Sequence, residues 1–119
     1  MAIVGLGTRE YGGHVVAALH GELDIVDAAS VIAMLAGAAA GNPRIVVDLA
    51  ALEYVDCHAL GALGRLRAQA RQAGGDLRLA SPRGPVRRLL DLIGVFAVHA
   101  SVDEAVLAAG GSPVAVTAG

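Results

Sequence analysis

Apolar positions along the chain follow two rhythms, and the points where one gives way to the other outline the elements. AIVGLGT at 2–8 and HVVAALHGEL at 14–23 are rich in β-formers and flank Tyr11-Gly12-Gly13, which predicts two strands joined by a tight glycine turn. From Asp27 the spacing lengthens: Val31, Met34, Leu35 and Ala38 share one helical face, Asp27 stands where a cap would, and Gly41-Asn42-Pro43 ends the helix. RIVVDL at 44–49 is a short apolar run rich in β-branched residues, as in a strand buried on both faces. A loop through Ala50 to Val55 is then expected to lead to Asp56, placed to cap a second helix. The apolar stripe of that helix is Leu63, Leu66, Ala70 and Ala73, and Gly74-Gly75 stops it.

DLRLA at 76–80 reads as a strand, and Val86, Leu89, Leu90 and Ile93 as a third helix begun at Pro85 and closed by Gly94. A short strand around Phe96 to His99 follows. Ser101-Val102-Asp103-Glu104 is a capping box that opens a fourth helix running to about Ala109. Strands separated by helices must run parallel through right-handed crossovers, while the opening hairpin is antiparallel. The expected fold is therefore α/β, a mixed sheet of four to five strands with about four helices packed on it. Residues 1–109 form one domain in this scheme and 110–119 a loose C-terminal tail.

Composition narrows the picture. A chain of 119 residues suits a single core. With 55% apolar residues but only 3% aromatic, that core must be built from Val, Leu, Ile and Ala. A formal charge of −2 and a pI near 6.0 argue against a general nucleic-acid binder, whose affinity rests on basic charge. All nine basic residues are Arg, so chemistry that requires a lysine is excluded. One cysteine makes no internal disulfide, and the N-terminus lacks the pattern of a secretory signal, which points to a reducing cytoplasm. The longest uncharged stretch, 28–43, is broken by Gly and Pro and too short to span a bilayer, so no membrane insertion is expected.

Catalytic and cofactor motifs are missing. GLGTRE at 5–10 lacks the last glycine of a dinucleotide loop, and no P-loop or GxSxG elbow occurs. His14, His20, His58, His99 and Cys57 show no metal-ligand spacing; His14 and His20 share a strand face but lie roughly 20 Å apart. Asp48, at the end of a strand, stands where response regulators accept phosphate, but the lysine they use is absent, and the residue is expected to stabilise the loop after it. No enzyme activity, metal or cofactor is expected.

Three stretches carry a resemblance: GELD at 21–24, VVDLAALEYVDCHALGAL at 46–63 and AGGDLRLASPRGPVRRLLDLIGV at 73–95. Together they resemble the STAS domain of bacterial anti-sigma factor antagonists, over residues from about 3 to 109. In that family the corner between strand and helix commonly reads Asp-Ser-Ser-Gly-Leu-Gly. The second serine is phosphorylated by an anti-sigma factor that doubles as a serine kinase, and the added charge at a helix N-terminus releases the partner. Asp56, Leu60 and Gly61 match this pattern, whereas Cys57, His58 and Ala59 replace the first serine, the phosphorylated serine and the glycine. The hydroxyls of Thr8, Ser30, Ser81, Ser101, Ser112 and Thr117 all lie far away in sequence.

The resemblance implies a regulator that binds a kinase-type anti-sigma factor, a serine-kinase-like ATPase, or a related protein, without a phosphorylation switch at position 58. Glu22, Asp24, Asp56, Cys57, His58, Ala59, Gly61, Gly64 and Arg65 are the implied partner-binding residues, Glu22 and Asp24 lying in the loop after the second strand. It also leaves room for a weak homodimer. The alternative is a cytosolic STAS subunit of a membrane transporter for lipid or anions, in which the uncharged segment of helix one faces another subunit.

Several residues keep two readings. Cys57, Gly61, Gly64 and Ala68 project along one side of the second helix, as either a flat docking face or a packing surface for a neighbouring loop. Cys57 is either a redox-sensitive thiol at a helix N-terminus or a small replacement for serine. His58, on an arc near Arg65, is a neutral surface residue, a pH sensor or a phosphate acceptor. Asp24 is either a contact residue or a cap, and Arg83, Arg87 and Arg88 read as a solvated basic face.

Overall fold

Two glycines make the first turn. In the computed structural model of the protein, which describes residues 4–112, Gly12 and Gly13 both adopt positive φ, 60° and 83°, the backbone that a two-residue hairpin loop requires. They join β1 (Val4–Tyr11) to β2 (His14–Leu23) in an antiparallel ladder from Tyr11↔His14 to Val4↔Gly21. The remaining strands are β3 (Arg44–Val55), β4 (Asp76–Ala80) and β5 (Val98–His99), each parallel to its neighbour in one sheet of order β1-β2-β3-β4-β5. Helices α1 (Ile25–Ala38), α2 (Cys57–Gln72), α3 (Gly84–Ile93) and α4 (Val102–Ala108) complete the expected alternation.

The helices divide unequally between the two faces. Ala28, Val31 and Leu35 of α1, Leu60, Leu63, Leu66 and Ala70 of α2, and Val86 and Leu90 of α3 pack on Ala17, Leu19, Ile45, Val47, Leu77 and Leu79 of the sheet. On the other face, Ala105 and Val106 of α4 cover Val16, Val46 and Ala80. The two-sided burial of β3 explains its unbroken apolar run, and the volume is filled without Trp, as the composition requires.

Five local expectations need correction. Helix α1 is capped by Asp24, whose Oδ1 accepts from the N–H groups of Val26 (3.0 Å) and Asp27 (3.3 Å); Asp27 lies inside the first turn. Its inner face is Ala28, Val31 and Leu35, while Met34 and Ala38 are exposed. Residues Ala50 to Val55 are strand, because β2 continues beside them to Leu23↔Val55 across two register shifts. The first shift lies next to Asp48, whose Oδ1 accepts the Ala50 N–H at 3.0 Å, so this aspartate does brace the residues that follow it. Finally, Ala73 is an exposed C-cap outside the buried stripe, and Phe96 precedes β5 and packs against the main core.

The capping box is present. Ser101 Oγ accepts the Glu104 N–H at 3.1 Å, and Glu104 Oε2 reaches back to the Ala100 N–H at 3.2 Å. Of the C-terminal segment, residues 113–119 lie outside the described residues; Gly111 donates its N–H to Val106 O at 2.9 Å and rests beside Gly12.

Near β5, Arg78 Nη1 donates to His99 Nε2 at 3.1 Å, which fixes His99 as the neutral acceptor. Partial burial, and next the Arg78 charge, lower the His99 pKa below the ordinary 6.5. The unfolded chain protonates first as pH falls, so the His99 cost to stability begins below about pH 6.5, grows until its folded pKa is passed and persists below that, while above pH 6.5 the residue is neutral to stability. Replacing it with Gln should flatten that part of the curve, measured as urea midpoints between pH 5 and 7.5.

Candidate functional site

Two strand-to-helix corners stand side by side. Strand β2 ends at Leu23 and β3 at Val55, paired in register, and each is followed by an aspartate and a helix. Asp24 caps its own helix. Asp56 serves both helices: Oδ1 accepts the Ala59 N–H of α2 at 2.8 Å and Oδ2 the Ile25 N–H of α1 at 3.0 Å. Its own N–H donates to Leu23 O at 3.3 Å. Two positive helix ends thus meet at one carboxylate, which ties the entrances of α1 and α2 together.

The sequence-predicted residues fall into three groups around this knot. Asp24 and Asp56 are half-buried and their carboxylates are taken up by backbone N–H groups. Cys57, His58, Gly61 and Arg65 are exposed on the first turns of α2, with Gly64 half-buried behind them. Arg65 folds back toward Gly61, its Nη1 3.8 Å from where a Gly61 Cβ would stand, and makes no ion pair among the described residues. His58 has no bond to Arg65 there either. Ala59 does not belong to the surface: it is fully buried beneath the corner, so it cannot touch a partner. Glu22 lies within β2, opposite Tyr54, with an exposed side chain.

The glycine side of α2 turns out to be one wall of a groove. Cys57, Leu60, Gly61 and Gly64 face Ile93, Val95 and Phe96 from the end of α3 and the segment before β5, enclosing about 220 Å³. A Cβ at Gly64 would sit 3.9 Å from Phe96 Cζ, so the glycine keeps the groove open without being needed for the fold. Val95 on its wall is 60% exposed, and Ile25 and Val26 at the start of α1, Tyr54 near the end of β3 and Leu92 near the end of α3 are exposed at 58%, 79%, 46% and 83%. These apolar residues escaped the sequence reading. The available signal was that Ile25, Val26 and Leu92 lie off the core stripes of α1 and α3. Val95 and Phe96 gave no signal, since only tertiary packing brings them to α2.

What the corner offers is a binding surface: exposed apolar side chains, a shallow groove, and acidic and basic groups at its margin. Among the described residues, no three His, Cys, Asp or Glu side chains are grouped so as to hold a metal, and no helix is long and apolar enough to cross a membrane.

Comparison with known proteins gives the architecture a family. Among solved structures, the chain is similar to an anti-sigma factor antagonist from Mycobacterium paratuberculosis, with 25% identity, a TM-score of 0.80, and coverage of 91% of this chain and 95% of that one. SpoIIAA in its unphosphorylated form is similar at 24% identity and TM-score 0.69, with 86% and 93% covered. The murine anion transporter Slc26a9 shares the fold at 16% identity and TM-score 0.73, over 86% of this chain but 18% of the transporter. A sequence comparison with curated proteins gives no match. The STAS domain family model matches residues 6–105. With that match, and with the sheet order and corner geometry described above, this chain belongs to the STAS domain family.

Proposed function

We propose that the protein is a regulator of the anti-sigma factor antagonist type, which binds an anti-sigma factor of the serine-kinase class through the Asp56 corner and the adjoining groove. The observation that carries this is the apolar groove beside the corner, between Cys57, Leu60, Gly61 and Gly64 of α2 and Ile93, Val95 and Phe96. Contiguous apolar surface of this kind marks interaction sites. The likeness to the mycobacterial antagonist supports the choice of partner. His58 stands in place of a hydroxyl, so binding is not relieved by serine phosphorylation at this position.

The test starts with affinity purification from the native host, followed by titration calorimetry with the kinase-like ATPase recovered. Gly64→Arg should fold normally, because the Cβ position is free, yet fill the groove and weaken binding at least a hundredfold. With the ATPase and Mg-ATP, mass spectrometry should find position 58 unmodified in the natural sequence and phosphorylated in His58→Ser. Binding unchanged by G64R, or stoichiometric phosphate on His58, would overturn the proposal.

A second reading, as a subunit or appendage of a membrane transporter, draws on the outer side of α1, where Val26, Ala29, Ser30, Ala33, Met34 and Gly37 are exposed and none is charged. Recovery of transporter components in the same purification would favour it.

A further inference from the structure

At the opposite pole of the sheet, where β3 and β4 begin, a cavity of about 180 Å³ lies between the glycine turn after α2 and the end of α4. Its walls include His14, Arg44, Asp76 and Arg78. The charges there do not balance. Asp76 is shared by Arg67 (Nε to Oδ1, 3.2 Å) and Arg78 (Nη2 to Oδ2, 3.7 Å), and also accepts the Leu77 N–H at 2.9 Å. Arg44 has no ion pair among the described residues. Arg44 and Arg78 on the wall, with Arg67 reaching Asp76 from outside the lining, make three guanidinium groups for one carboxylate. The C-terminal ends of α2 and α4 offset roughly half a charge each, which leaves the site positive.

An unmet buried donor accompanies this excess. Arg78 uses Nη1 on His99, but its buried Nε–H has no partner among the described residues. Such a group calls for an explanation, an ion or a water being the usual one. His14, 2% exposed on the same wall, is held in place by its Nδ1–H, which donates to Gly12 O at 3.1 Å, and so lends the wall rigidity and no further donor. The volume lies below the ~300 Å³ at which pockets for larger ligands begin, which favours a small ligand over a nucleotide. A tetrahedral oxyanion fits, and the planar fork of arginine suits its oxygens.

We propose that this cavity binds a small phosphate group, either inorganic phosphate or a compact phosphomonoester, between Arg44 and Arg78. The site is independent of the Asp56 corner, from which the length of β3 separates it by roughly 36 Å at 3.3 Å per residue.

The full chain would be titrated with sodium phosphate, and separately with glycerol 3-phosphate, at constant ionic strength and followed by amide NMR. Saturable shifts at Gly74, Gly75 and Asp76 are expected, with affinity at least fivefold weaker in Arg44→Gln and intermediate in Arg44→Lys. Tighter binding of the ester would assign a phosphomonoester, and equal or weaker binding the free ion. Shifts reproduced by sodium chloride, or an Arg44→Gln variant that titrates like the natural protein, would overturn the proposal. Arg44 is exposed, so its substitution leaves the fold available for the measurement.

Discussion

Replacing Gly75 with alanine should lower the unfolding free energy by about 3 kcal/mol, near the upper end of what overpacking costs. The added Cβ would fall on the carbonyl oxygen of Pro43, which is backbone and has no rotamer to escape into. That same oxygen accepts the Asp76 N–H at 3.1 Å, the link that sets the start of β4 beside the start of β3. Relieving the clash therefore means separating two central strands. The neighbouring residue provides the control: Gly74 has φ of 89° and open space around it, so alanine there meets backbone strain alone and should cost about 1 kcal/mol. Urea unfolding of both variants would check this, and a Gly75→Ala cost no greater than that of Gly74→Ala would refute the close approach.

The second large effect lies at the corner. Asp56→Ala removes the acceptor from two helices at once, the Ala59 N–H of α2 and the Ile25 N–H of α1. A lost cap costs about 1 kcal/mol and a lost bond to a charged acceptor about 1.5 more, so the expected total is roughly 2–3 kcal/mol. Asp24→Ala loses only its own cap and should cost about 1 kcal/mol. Asp56→Asn keeps one acceptor oxygen and should fall between the two. Chemical denaturation of the three variants gives the comparison; equal costs for Asp56→Ala and Asp24→Ala would show that the bond to α1 contributes nothing.

Much of the fold is legible in the sequence, and the exceptions share a cause. The hairpin at Gly12-Gly13, the crossovers, the third helix between Pro85 and Gly94 and the capping box at Ser101 are specified by neighbours in sequence, and all stand where local rules put them. The second half of β3 reads as a loop in sequence because ALEYV carries no apolar run of its own; it is a strand because β2 continues alongside it, a long-range fact. The cap of α1 was misplaced by three residues because Asp24 and Asp27 are equally suited in type, and only the chain direction after Leu23 chooses between them. At the site, the role of Asp56 on α2 could be read from spacing, but its bond to Ile25 could not, since 31 residues separate the two. Ala59 was assigned to the surface by analogy of position, whereas the geometry of the first helical turn points it into the core.

The extension of β3 has a mechanical consequence. Strand β4 pairs with it only as far as Asp48↔Ala80, so the stretch from Leu49 to Val55, which carries the corner, is hydrogen-bonded to a single neighbouring strand. It is a cantilever, anchored in the five-stranded slab and free along one edge. Between strands, load at its tip passes through the ladder to β2 alone, while Leu49, Leu52 and Val55 hold the arm to the core.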